Sequence, residues 1–215
     1  MRERVVEAVL SDKLIAIVRG LSEDKVIPLA HALYDGGIHM MEVTFNQSAP
    51  SSFSETTKAI RALRKEFNGR VLVGAGTVCT QEQLEQAADA GALYIITPNT
   101  NPKLITEVRK KGLVSMPGAL TPSECVIAHE AGADFVKLFP LGNFGPDYLK
   151  AVRAPLSHIR FLGVGGINEK NIKDYLDAGA VGFGVGGNLV HKDWIAAGEF
   201  DKITALAKQY VAAVN

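Results

Sequence analysis

A single lysine interrupts the apolar run "FVKLFPLG" (135–142), and a single glutamate interrupts "MMEVTF" (40–45). Ammonium and carboxylate groups are among those least often buried, so each needs either a partner or a task. Side chains alternate along a strand, which puts Phe135, Lys137 and Phe139 on one face and Val136 and Leu138 on the other. The same rule groups Met40, Glu42 and Thr44 against Met41, Val43 and Phe45. A confined amine beside a second cation, such as Arg19 at the end of "LIAIVRG", favours its neutral form, which attacks carbonyls to give an imine. A nearby carboxylate of raised pKa can carry protons to and from the carbinolamine and the carbon α to the imine, with the protonated imine as electron sink. Two simpler readings stand beside this one. Lys137 could pack its stem on the wall and reach water with its head. Glu42 could form nothing more than a salt bridge to Lys137 or Arg19.

Two glycine-rich stretches, "GVGGI" (163–167) and "GVGGN" (184–188), offer backbone N–H groups that could hold a phosphate. Asn188 is placed to cap the turn that follows and to donate to the same anion. The alternative is tight strand-to-helix packing. Neither "GVGGN" nor "GAGTV" (74–78) has the third glycine, or the acidic residue downstream, of a dinucleotide fingerprint, so NAD is discounted. The five histidines show no H-x-H or H-E-x-x-H spacing, so no metal-ligand set is visible.

The elements that must position these groups follow from periodicity. After a first helix in "RERVVEAVLSD", short β-branched or apolar runs recur at 14–20, 40–45, 70–76, 93–98, 113–118, 134–140, 160–166 and 180–187. Between them lie amphipathic segments that open on cap-forming residues ("SEDK", "TQEQ", "NPKL", "TPSE", "NEKN") and often close on glycine. Eight β-then-α units without a linker predict one (β/α)8 TIM barrel over residues 1–215, with an extra N-terminal helix. A doubly wound open sheet is the alternative. A barrel places its site where strands end, and the unusual residues gather there: Arg19, Glu42, Asn46, Thr77, Pro98, Pro117, Lys137, Phe139 and the pairs Gly165-Gly166 and Gly186-Gly187. Thr77, Asn99 and Thr121 also have simple readings as helix-starting residues, and Pro98 and Pro117 as residues that only break strands.

The chain's 215 residues, 47% of them hydrophobic, can bury the core of one large domain. A formal net charge of zero gives no global field for nucleic acid or anionic membrane, which favours a small-molecule partner. Cys79 and Cys125 lie far apart without ligand spacing, which points to a reducing, cytoplasmic setting. The N-terminus lacks the apolar stretch of a signal peptide, and no later run is long enough to span a bilayer.

The motifs "AIVRG", "MMEVTF", "VGAGTV", "ITPN", "MPGALTPSE", "FVKLFP" and "VGGI", in this order over almost the whole chain, resemble the 2-keto-3-deoxy-6-phosphogluconate / 4-hydroxy-2-oxoglutarate aldolase family. The resemblance implies a trimeric (β/α)8 class I aldolase with no metal or organic cofactor, in which Lys137 forms the Schiff base and Glu42 is the general acid and base. It also implies that Thr77 and Pro98 line the pyruvate site, that Phe139 covers the bound ketoacid, and that Gly165, Gly166, Gly186 and Gly187 hold the phosphate. The chain departs from the gluconate-type pattern at several positions. Asn46 replaces an arginine, Gly163-Val164-Gly165-Gly166 replaces Pro-Thr-Gly-Gly, Asn188 replaces a serine, and Thr97-Pro98-Asn99 replaces Ser-Pro-Gly. Without the arginine, Arg19 and backbone donors are left to hold a carboxylate. "FNQSAP", "ITPN" and "VGGI" look closer to the branch acting on 2-keto-3-deoxy-6-phosphogalactonate. The expected reaction is reversible cleavage of the phosphorylated ketoacid to pyruvate and glyceraldehyde 3-phosphate. Rival readings are a non-catalytic barrel that binds a sugar phosphate, and a phosphate-binding isomerase or synthase that needs Glu42 but no imine.

Overall fold

The computed structural model describes all 215 residues, Met1–Asn215. Nine parallel strand segments form one sheet in the order β5-β4-β3-β2-β1-β9-β8-β7-β6. They are β1 (Leu14–Arg19), β2 (Met40–Thr44), β3 (Leu72–Gly76), β4 (Tyr94–Ile96), β5 (Val114–Met116), β6 (Gly118–Ala119), β7 (Val136–Leu138), β8 (Phe161–Val164) and β9 (Gly182–Val185). The ten α-helices are α1 (Arg2–Asp12), α2 (Glu23–Asp35), α3 (Phe53–Phe67), α4 (Gln81–Asp89), α5 (Pro102–Lys110), α6 (Pro122–Glu130), α7 (Gly145–Arg153), α8 (Ile172–Asp177), α9 (Lys192–Ala197) and α10 (Phe200–Val214). This is the TIM-like α/β barrel with its N-terminal helix.

Eight strands were expected, and the fifth is divided. Proline has no N–H to give a sheet ladder, and Pro117 separates β5, which pairs with β4, from β6, which pairs with β7. Its carbonyl still accepts from the Lys137 N–H at 2.9 Å. The broken strand therefore hands the sheet from one neighbour to the next, and chain continuity through Pro117 brings the ring round.

Alternation divides the core in two. The larger cluster lies between sheet and helices and takes Met41, Val43, Val136 and Leu138. The smaller fills the barrel and takes Ile15, Met40, Leu72, Tyr94, Phe135 and Leu162, with Val5 and Val9 of α1 joining it. Those two valines sit one helical turn apart, so α1 presents them together and closes the end where the strands begin. Burying each stabilises the fold by roughly 1.5–3 kcal/mol, and Val5→Asp would unseat the plug. Phe135, just before β7, belongs to this inner cluster, so Lys137 two residues on also points inward.

Helix starts follow local chemistry. Thr80 and Thr121 each complete a capping box, with Gln83 and Glu124 respectively. Asn101, rather than Asn99, caps α5, and Thr80, rather than Thr77, caps α4. These caps hold the βα-loops at the end of the barrel opposite α1.

Candidate active site

Glu42 lies in the middle of β2 and is 1% exposed. It pairs in register with Ile17 of β1 and Gly74 of β3, while Thr44 pairs with Gly76. A Cβ on Gly76 would overlap the Glu42 carboxylate, and one on Gly74 would overlap the Tyr94 ring. Both inward positions of upper β3 are glycine because neighbouring side chains occupy the space. No ammonium, guanidinium or imidazole nitrogen lies within 4.0 Å of the carboxylate, so the simple salt bridge is not formed. Its Oε2 is fully buried without a hydrogen-bond partner. Burial pushes this carboxyl above its ordinary value, with the charges of Lys137 and then Arg19 opposing.

Lys137, at the centre of β7, is 7% exposed. The side chain is therefore largely withdrawn from bulk water. Burial pushes its pKa down, Glu42 opposes, and Arg19 adds to the depression. Its Nζ stands 5.0 Å from the centroid of the Phe139 ring, which is itself 38% exposed at the mouth. Gly165 also lies against that ring, where a Cβ would come within 3.3 Å of it. Phe139 therefore adjoins both the amine and the first glycine turn.

Arg19 ends β1, is exposed, and has no carboxylate within 4.0 Å. With Phe139, Gly165, Gly166, Gly186, Gly187 and Asn188 it lines a cavity of about 230 Å³. Gly165 and Gly166 have φ of 90° and 74°, so their turn requires glycine. The other pair differs. A Cβ on Gly187 would meet nothing within 4 Å, and one on Gly186 only Ile17 at 3.8 Å. Tight packing does not account for that pair, and the bare backbone faces open space of anion size. Lys137 and Glu42 do not line this cavity. The arrangement is a buried amine and carboxyl beside a cationic, glycine-lined recess, with Phe139 bordering both.

Asn188 lines that recess while part of its amide is committed elsewhere. Its Nδ2 donates to the Ile167 carbonyl at 2.9 Å, joining the two glycine turns, and the Tyr210 hydroxyl donates to its backbone oxygen at 3.2 Å. Asn46 lies elsewhere. Its Oδ1 accepts from the Ser48 N–H at 3.1 Å, and it lines a separate cavity of about 310 Å³ with Gly20, Thr44 and Glu55. Pro98 is exposed at the mouth, its carbonyl filling the space a side chain on Gly118 would take. Thr77 has φ of 55°, a left-handed conformation that a β-branched residue rarely adopts.

Gly76, Tyr94 and Cys79 were not anticipated. Tyr94 is fully buried below Glu42, whose charge adds to burial in raising the phenol pKa. Cys79 is close enough for Lys137 to oppose the burial that raises its thiol. The glycines of "GAGTV" were the available signal, weighed above only as a nucleotide motif. No group of three or more His, Cys, Asp or Glu side chains is placed to hold a metal ion, and both cysteines are free. No helix is long and apolar enough to cross a membrane.

Residues 5–206 match the family model described as KDPG and KHG aldolase. The chain is 34% identical to 2-dehydro-3-deoxy-6-phosphogalactonate aldolase of Escherichia coli (strain K12), covering 94% of this chain and 96% of the relative. It is 36% identical to 2-dehydro-3-deoxy-phosphogluconate aldolase of Treponema pallidum (strain Nichols), covering 98% of each. Among solved structures, KDPG aldolase from Legionella pneumophila, with pyruvate captured as a covalent carbinolamine intermediate, superposes with a TM-score of 0.84. That pair shares 30% identity, over 94% of this chain and 96% of the other.

Proposed function

The chain belongs to the KDPG and KHG aldolase family, whose members are carbon–carbon lyases, and from that premise we propose that it cleaves 2-keto-3-deoxy-6-phosphogluconate reversibly to pyruvate and glyceraldehyde 3-phosphate. The observation that carries the reading is the burial, at one barrel mouth, of an amine with lowered pKa and a carboxyl with raised pKa that form no ion pair.

The neutral Lys137 amine attacks the C2 keto carbon, and the carbinolamine hydroxyl leaves as water with the proton of the Glu42 carboxyl, which gives a protonated imine and a Glu42 carboxylate. Glu42 takes the proton of the C4 hydroxyl, directly or through a bound water. The C3–C4 bond then breaks, its electrons pass into the iminium to give an enamine, and the aldehyde leaves. Glu42 returns a proton to C3, and hydrolysis frees pyruvate and the amine. Phe139 shields the imine from solvent, Thr77 and Pro98 border the pyruvate portion, and Arg19 with Gly165, Gly166, Gly186 and Gly187 receives the phosphate.

Incubation with pyruvate and borohydride, followed by mass spectrometry, tests this directly. The adduct is expected on Lys137. Its absence from folded protein, or its appearance on another lysine, sinks the mechanism. A sensor that binds sugar phosphate without turnover would instead show ligand-dependent thermal stabilisation and no pyruvate.

A second reading concerns the epimer 2-keto-3-deoxy-6-phosphogalactonate. It is favoured by Asn46, by Thr97-Pro98-Asn99 and by Val164 ahead of Gly165-Gly166, and the Escherichia coli relative bears that name. Both epimers give the same products, so each must be assayed separately, and the larger kcat/KM decides. We also place the enzyme in the cytoplasm, supported by its two free cysteines, and in a homotrimer, as the family resemblance implies. Light scattering on the purified chain tests the trimer.

A further inference from the structure

We infer that Gln47 and Gln83 are positioning residues that hold the Gly76–Cys79 turn against Glu42 by locking Thr77 in its left-handed conformation; the inference rests on the aldolase reading above. Gln83 is 1% exposed, and every polar atom of its side chain is engaged. Its Oε1 accepts from the Cys79 N–H at 2.7 Å and the Thr80 N–H at 3.2 Å. Its Nε2 donates to Gln47 Oε1 at 3.0 Å, and Gln47 Nε2 donates in turn to the Thr77 carbonyl at 2.7 Å. Helix capping accounts for the first pair of bonds and for nothing beyond them. The remaining two tie the loop after β2, which carries Glu42, to the loop after β3.

The segment so held matters to proton transfer. Gly76 packs directly on the Glu42 carboxylate, and Cys79 lies within electrostatic reach of Lys137. Thr77 stands between them at φ of 55°, a conformation of order 1–3 kcal/mol above the ordinary ones for a β-branched residue. Such a conformation persists where its surroundings hold it, and here the short bond to the Thr77 carbonyl comes from Gln47, with the Cys79 thiol a longer donor at 3.6 Å. Released, the turn would relax and shift the wall against which Glu42 is set. Proton transfer depends steeply on such placement.

Two variants break this relay and leave the helix cap in place. In Gln47→Glu the side chain still accepts from Gln83 but can no longer donate to the Thr77 carbonyl. In Gln83→Glu the carboxylate keeps both backbone bonds of the capping box and loses the donor to Gln47. The experiment measures borohydride trapping of pyruvate and solvent-deuterium exchange of the pyruvate methyl group, which reports proton transfer at C3, alongside thermal unfolding. Both variants are expected to trap pyruvate on Lys137 as the unaltered chain does and to unfold within a few degrees of it. Methyl exchange is expected to fall on the order of tenfold. In a Thr77→Gly background, where positive φ carries no strain, Gln47→Glu should lower the residual exchange rate by less than twofold. Unchanged exchange in both variants, or an equal loss with and without Thr77, overturns the inference. Failure of the unaltered chain to trap pyruvate would instead remove the imine reading, and the inference with it.

Discussion

Each end of the barrel buries a carboxylate, and the two are treated in opposite ways. Asp134, just before β7 at the end closed by α1, is surrounded by donors. Its Oδ1 accepts from Arg109 at 2.8 Å and from Arg2, and its Oδ2 accepts from the Ser115 N–H at 2.9 Å. Glu42 has no ion-pair partner and leaves Oε2 without a hydrogen bond. Burial raises both carboxyls, but at Asp134 the Ser115 N–H and the arginines oppose it, whereas at Glu42 the opposition comes from charges that do not touch it. A carboxylate enclosed by donors ties elements together. One held apart from its counter-charge is ready to exchange protons, and stability is lost in keeping it so.

The largest effect that tests this contrast is expected from Lys137→Met. Turnover and pyruvate trapping should fall to background, while the protein unfolds at higher temperature because an amine disfavoured by burial is replaced by an apolar chain. The rise should amount to roughly 2–4 °C for each kcal/mol relieved. A drop in unfolding temperature would mean that Lys137 is structural. Next comes Glu42→Gln, which should lower kcat by about 10²–10⁴-fold while the imine with pyruvate still forms. Retained turnover would transfer the proton role to another group.

At the other end, Asp134→Ala should leave the activity of the folded enzyme unchanged and cost about 2 kcal/mol in chemical denaturation. That lies below the range for a fully buried pair because Arg2 and Arg109 remain partly exposed and can be hydrated. A loss of activity in folded protein would erase the distinction between the two ends. The smallest effect is the pH dependence of stability. The folded pKa of Glu42 lies above its ordinary 4.5, so the folded state holds the proton more tightly than the unfolded chain does. Its stabilising contribution is fully present below 4.5 and is lost as pH rises through the folded pKa. The unfolding temperature of Glu42→Gln should therefore gain on that of the unaltered chain from pH 4.5 upward and then level off. A gap that closes with rising pH would show the sign to be wrong.

Lys137 and Glu42 were legible because each is a lone charge in an alternating apolar strand, and alternation alone says which neighbours share its face. The barrel was legible because the β-then-α rhythm runs unbroken, and the glycine turns because paired glycines at strand ends leave the backbone bare. Other features were hidden by distance along the chain. Gly76 is glycine because of a side chain on β2, and Gln83, readable as half of a capping box, spends its spare amide on a residue 36 positions upstream. Asn46 sits only four residues beyond Glu42, yet the loop turns it into a different cavity. The break at Pro117 was readable from proline itself, but the change of partner across it was not, because an apolar run looks the same whether it keeps one partner or passes between two.

Local chemistry in the sequence decided which residues would be helix, strand and cap, which faces would turn inward, and which two ionisable groups those faces would carry with them. Periods of two and of 3.6 residues, and the missing side chain or missing N–H of glycine and proline, act over a few positions and need no knowledge of the rest. Only the closed ring decided that Glu42 would stand buried and unpaired while Asp134 gathered arginines from α1 and α5. Pairing and desolvation depend on which side chains from remote segments come within a few ångströms, and no spacing along the chain records that.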